Sequence, residues 1–239
     1  MLDARQKLLF VLGATFLTCF LVGDILGGKL IEMDVLGMEF TTTVGMVPFP
    51  ITFLLTDVLN EFYGKKAARF VTLVSFAMAL LAFFIIYVAG AIPIALVARG
   101  PEWTGVNEAS FNNVFLGSQR MLLASLCAFL VSQFVDIWVF HFLKELSGSR
   151  LLWLRATGST LISQLIDTVV ITLAAWIGVL SGPQILDVIL SAYALKVFIA
   201  VGLTPIIYVC HRLLIRRLGI QPWLDEGTTA GRAVGLKRS

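Results

Sequence analysis

Ser132-Gln133-Phe134-Val135-Asp136 and Ser163-Gln164-Leu165-Ile166-Asp167 place a hydroxyl, an amide and a carboxylate at i, i+1 and i+4 in two successive apolar runs. On a helix the Ser and Asp of each pentad share a face, as do the Gln and Asp. A carboxylate only accepts hydrogen bonds, whereas a Gln amide both donates and accepts. Together these groups suit a planar heterocycle with mixed donors and acceptors. An ionisable group at bilayer depth costs about 2.5–3.5 kcal/mol on insertion scales, so its default reading is functional. The alternative is that the Ser, Gln and Asp side chains bond helix to helix and serve the bundle alone. Two aspartates in matching settings weigh against it.

Further charges lie near these pentads. Lys196 sits deep in the last apolar run and can neutralise Asp167, as a functional group or as a structural ion pair. Asp57, Asn60 and Glu61 fall on one helical face within Thr56-Asp57-Val58-Leu59-Asn60-Glu61-Phe62-Tyr63-Gly64-Lys65. By spacing alone they read as a solvated helix end or as part of a polar site. Asp24 lies beside Gly23-x-x-x-Gly27, a spacing that permits close helix packing.

The elements that hold these groups are membrane helices. Of 239 residues, 58% are hydrophobic and 14% charged, with mean hydropathy +0.92. Apolar runs of 18 or more residues recur without strand-like alternation, which excludes a β-barrel. The fold class is an all-α polytopic membrane protein. Six transmembrane helices are expected at about 8–26, 44–59, 70–94, 121–143, 152–180 and 188–214. The first, despite its basic start, is too long for a signal-peptide core and is read as retained. The second is short and holds Gly45, Pro48 and Pro50, which predicts a kinked or broken helix or a re-entrant loop.

With the amino terminus inside, fourteen of the eighteen Lys and Arg residues fall on the inner side, Lys65, Lys66, Lys144, Arg150 and Arg155 among them. Only Lys29, Arg99 and Arg120 fall outside. That asymmetry predicts six crossings with both termini cytoplasmic. Residues 1–220 then form one transmembrane domain, and 221–239 a polar, disordered cytoplasmic tail. The long external connection, 98–120, is either a lid over an outer pocket or an ordinary solvated loop. On antiparallel neighbours, the two pentads meet near mid-depth about a local two-fold axis, with Asp136 a turn inward and Asp167 a turn outward.

Enzymatic readings find little support. H-E-x-x-H, G-x-S-x-G and P-loop motifs are absent, as is the Gly-x-Gly-Asp of intramembrane aspartic proteases. Cys19, Cys127 and Cys210 stand singly in apolar runs and read as small buried hydrophobes. No metal, cofactor or nucleic acid is expected.

The 56–65 stretch, the two pentads and Lys196, taken together, resemble the queuosine-precursor transporter family, which is also grouped with vitamin-uptake transporters. The resemblance covers about residues 8–215. It implies a six-helix transporter related in fold to the substrate-binding subunits of energy-coupling-factor vitamin importers. It also implies 7-deazaguanine substrates, 7-cyano-7-deazaguanine and 7-aminomethyl-7-deazaguanine, taken up across the inner membrane. The expected partners are thus a purine-like small molecule and the lipid bilayer; oligomeric state stays open. The substrate-binding residues expected are Asp57, Asn60, Glu61, Ser132, Gln133, Asp136, Ser163, Gln164, Asp167 and Lys196. Subunits that dock on an energising partner often carry Ala-x-x-x-Ala in helix one, where this chain has Ala14-x-x-x-Thr18. The departure favours a protein working alone over the alternative, a binding subunit of a multicomponent importer for another vitamin.

Overall fold

In hydrocarbon a backbone must satisfy its own hydrogen bonds, which leaves the helix as the usable element for continuous apolar runs. A computed structural model describes residues 3–27, 29–35, 37–100, 103–116, 119–147 and 151–223. Its long helices are α1 (Ala4–Leu26), α2 (Phe49–Ala91), α4 (Gln119–Ser147), α5 (Leu152–Trp176) and α6 (Gly182–Leu218). All five are long and apolar enough to cross a membrane. A one-turn helix, α3 (Glu108–Phe111), lies in the long loop.

The second and third predicted crossings are the two arms of α2. Gly64 (φ 76°, ψ 177°) interrupts it, in a region of backbone space open essentially to glycine. Contacts with α1 show that the chain reverses there. Gly23 packs on Pro48, and Gly13 packs on Val71, while Arg5 hydrogen-bonds the Phe62 carbonyl. Residues 49–63 therefore run antiparallel to α1, and 65–91 return alongside it. Gly64 thus separates the second predicted crossing from the third, while the outer end of the second, expected to be kinked or non-helical, is a 3-10 turn at Val44–Met46 ahead of the α-helix that starts at Phe49. Pro48 and Pro50 flank the helix start, where a missing N–H costs nothing. Gly45 instead allows close approach: a Cβ there would stand 2.6 Å from the Gly23 carbonyl and 3.3 Å from the Gly27 Cα. The Gly23/Gly27 spacing thus meets backbone of its own chain.

Gly64 is constrained twice, because a Cβ on it would also fall 2.5 Å from the Trp223 indole. Gly64→Ala should lower the yield of monodisperse protein in detergent several-fold and reduce its melting temperature. Unchanged yield and melting would mean that the reversal does not depend on this residue.

Trp223 donates its backbone N–H to the Glu61 carbonyl (2.8 Å), and Arg5 stacks over both Tyr63 and Trp223 at 5.4 and 5.8 Å. The amino terminus and Trp223 therefore share one end of the bundle, called here the terminal face. Residues up to Trp223 pack on the bundle; residues 224–239 of the expected tail lie outside the described residues.

The residues between α1 and α2 form an antiparallel hairpin, β1 (Leu30–Val35) and β2 (Met38–Thr43), paired from Leu30↔Thr43 to Val35↔Met38. The sequence reading did not anticipate it. Gly37, at φ 79°, makes the turn, and Asp34 accepts its N–H at 2.7 Å. In the long loop, Phe111 and Leu116 pack at Gly90, on the end of the second arm of α2. Cys127 is exposed on the outer surface, and Cys19 and Cys210 are half-buried, so none of the three is a core residue.

The helices are sorted inside out. Arg155, Ser159, Ser163 and Asp167 recur every four residues on the buried face of α5, with Ala156, Thr160, Gln164 and Thr168 beside them. Trp153, Ile162, Leu165 and Leu173 face outward. An amphipathic helix of this kind belongs in lipid, with its polar stripe satisfied by protein. The first arm of α2 goes further: residues 55–64 are all buried. The shortest apolar segment is therefore the central helix, and its polar groups meet other helices.

Candidate functional site

The two pentads meet. Ser132 Oγ lies 3.2 Å from Asp167 Oδ1, and Ser163 Oγ lies 3.1 Å from Asp136 Oδ1. Pairing 132 with 167 and 136 with 163 is the register of antiparallel neighbours. The i,i+4 relation inside each pentad is thus answered across the helix pair, each serine donating to the other pentad's aspartate. All four residues are buried, as are Gln133 and Gln164.

Each aspartate has a different second partner. Lys196 on α6 approaches Asp167 Oδ2 at 2.6 Å, with its Nζ 5.3 Å from the centre of the Phe49 ring. Asn60 on α2 donates to Asp136 Oδ2 at 3.4 Å. Asp167 therefore has a cation partner, and Asp136 has none within ion-pair distance among the described residues. Asp57 lies one helical turn from both Asn60 and Glu61 on α2 and is buried.

Glu61 belongs to a second cluster, one layer nearer the terminal face. Arg155 holds it through Nη2 to Oε1 at 2.8 Å and Nε to Oε2 at 3.0 Å. Lys144 adds a contact at 3.2 Å, and His211 lies 3.7 Å away. This bidentate ion pair joins α2 to α5 with support from α4 and α6, which closes the bundle beneath the pentads. Sequence reasoning counted Arg155 and Lys144 only as loop charges. The available signal was periodicity, since Arg155 stands eight residues before Ser163 and twelve before Asp167, on the same stripe. Asp24 and Ser125 form a further cross-helix bond of 2.6 Å between α1 and α4.

The structure thus joins Ser132, Asp167 and Lys196 in one bonded group and Ser163, Asp136 and Asn60 in another; Asp57, Gln133 and Gln164 are buried on the same helices, and Glu61 lies among cations. Four buried acceptor oxygens there have no hydrogen-bond partner among the described residues: Asp57 Oδ1, Asn60 Oδ1, Gln133 Oε1 and Gln164 Oε1. Buried polar atoms are rarely left unpaired, so a concentration of them calls for a specific reason. No group of three or more His, Cys, Asp or Glu capable of holding a metal occurs among the described residues.

Residues 43–210 match the family described as "Putative vitamin uptake transporter". The chain belongs to that family. All ten expected site residues fall inside the matched span of this vitamin uptake transporter family member. It is 31% identical over 175 residues to the "Probable queuosine precursor transporter" of Bacillus subtilis (strain 168), covering 73% of each chain. It is 31% identical over 193 residues to the "Queuosine precursor transporter" of Escherichia coli (strain K12), covering 79% of this chain and 81% of the relative. A third relative, the "Probable queuosine precursor transporter" of Haemophilus influenzae, is 26% identical over 132 residues, 55% of this chain and 51% of the relative. No solved structure matches. The family and its relatives are transporters and not enzymes, and this member is a multi-pass membrane protein.

Proposed function

We propose that this chain carries queuosine precursors into the cell across the cytoplasmic membrane. Its terminal face lies in the cytoplasm, and the cluster around the pentads binds the substrate. The observation that carries the reading is the set of unpaired buried acceptors on Asp57, Asn60, Gln133 and Gln164. A 7-deazaguanine presents N1–H and the exocyclic amine side by side on one edge and the pyrrole N–H on another. Such donors complement acceptor oxygens, while the Gln amides can serve the carbonyl and ring nitrogen. Phe49 and Phe53, edge to face at 5.8 Å, bring aromatic surface to the same region for a flat ring. The cationic arm of 7-aminomethyl-7-deazaguanine suits the carboxylates at the Asp136 end, and the neutral 7-cyano compound has no need of them. The names of the relatives and the concentration of Lys and Arg at the terminal face support substrate class and orientation. No energising subunit is needed in this reading.

The test uses cells that lack both precursor synthesis and their own importer. They express the chain and are fed each precursor at low concentration, and queuosine is measured in their tRNA. Restoration by at least one precursor is expected, and which one works names the substrate. No restoration by well-inserted protein would overturn the reading and direct attention to an energising partner or another ligand.

A further inference from the structure

The buried carboxylates fall into two kinds. Glu61 is held by Arg155 and Lys144, with His211 beyond, and Asp167 is held by Lys196. Asp57 and Asp136 have no cation within ion-pair distance among the described residues, although both are buried, at 8% and 4% exposure. A carboxylate buried in a low-dielectric interior without a counter-charge is costly, so it takes up a positive charge, a proton or a cation.

Geometry distinguishes the two. Asp136 is furnished as an anion, because Asn60 donates to one oxygen and Ser163 to the other. Asp57 is not: its Oδ1 has no donor. Asp57 also opens on a narrow cavity between α2, α5 and α6, whose polar lining is Thr157, Thr160 and Thr204. Thr157 and Thr204 are themselves 2.8 Å apart. These hydroxyls can each pass a proton along. The remaining titratable groups on the surrounding helices are otherwise engaged or placed elsewhere. Asp24 is bonded to Ser125, and His141 on α4 is buried beside Phe140.

We propose that Asp57, a buried carboxylate without a cation partner among the described residues, is a proton-binding site that couples substrate uptake to proton entry. In each cycle the Asp57 carboxylate binds one proton from the outer aqueous phase and releases it through the threonine-lined cavity to the inner one. Nothing is oxidised or reduced, and one positive charge enters with each neutral substrate.

This inference rests on the transport reading above, so the experiment separates the two. The full chain is reconstituted in liposomes holding a lumen pH dye, with labelled 7-cyano-7-deazaguanine as the neutral probe. Counterflow without any ion gradient tests carriage; its absence overturns the substrate reading and this inference together. Given counterflow, an inward gradient of one pH unit should drive accumulation towards about tenfold, and substrate entry should acidify the lumen. Accumulation indifferent to the proton gradient, or driven by sodium instead, overturns the inference and leaves the substrate reading standing. In Asp57→Asn the remaining flux should neither respond to the gradient nor acidify the lumen. Infrared titration supplies a readout independent of flux: a protonated-carboxyl band should titrate in the native protein, vanish in Asp57→Asn and persist in Asp57→Glu. Its persistence in folded Asp57→Asn would overturn the assignment to Asp57.

Discussion

Arg155→Met is expected to remove most of the folded protein recoverable in detergent. Arg155 is 1% exposed and its partner Glu61 3%, and the two are joined by a bidentate contact that no other cation in the cluster reproduces. Breaking such a pair from one side leaves the other charge desolvated, which costs about 3–5 kcal/mol in soluble proteins. Lys144 and His211 remain near Glu61 but are partly exposed, at 11% and 25%. They cover only part of the loss. The measurement is the denaturation midpoint in detergent for the native chain, Arg155→Met, Glu61→Gln and the double variant. The double variant should recover much of the loss, because no charge is then stranded. A single Arg155→Met variant as stable as the native chain would show that the pair does not hold α2 to α5.

Asp167→Asn should reduce precursor uptake more than tenfold while leaving a folded protein at the membrane. Asp167 accepts from Ser132 and Lys196 on different oxygens, so it ties α4, α5 and α6 together at the outer end of the cluster. The pair can be structural, a cation that makes an aspartate tolerable, or functional, a charge pair that opens towards substrate. Asp167→Asn combined with Lys196→Met separates these roles, because it removes both charges and leaves neither stranded. For a functional pair the double variant reaches native abundance yet restores no queuosine in the tRNA assay. If the pair is structural, the double variant transports and only Lys196→Met, which leaves the carboxylate alone, fails. Abundance measured beside tRNA queuosine decides between them.

The membrane class, the approximate spans and the depth of the pentads were legible in the chain, because hydropathy and helical periodicity act over a few turns. The same holds for the neutralisation of Asp167, since Lys196 was the only cation deep in a span. Glu61 shows where such reasoning runs out. Its spacing with Asp57 and Asn60 fitted a solvated helix end, yet it is buried among charges from three other helices. Whether a polar helix face meets water or protein depends on which helices surround it, and residues 49–63 proved to be central.

By itself, then, the sequence determined a bundle of apolar helices carrying two Ser-Gln-x-x-Asp faces at matching depth, since each of those properties is local to one segment. Tertiary structure decided the rest. It set the reversal at Gly64, where glycine is required both by φ and by the Trp223 indole. It also set the exchange of serine and aspartate between pentads, the capture of Glu61 by Arg155, and the burial of Asp57 without an ion-pair partner among the described residues. Each of these depends on side chains 27 to 159 positions apart. Their meeting is governed by how whole helices pack, which no local pattern of residue types specifies.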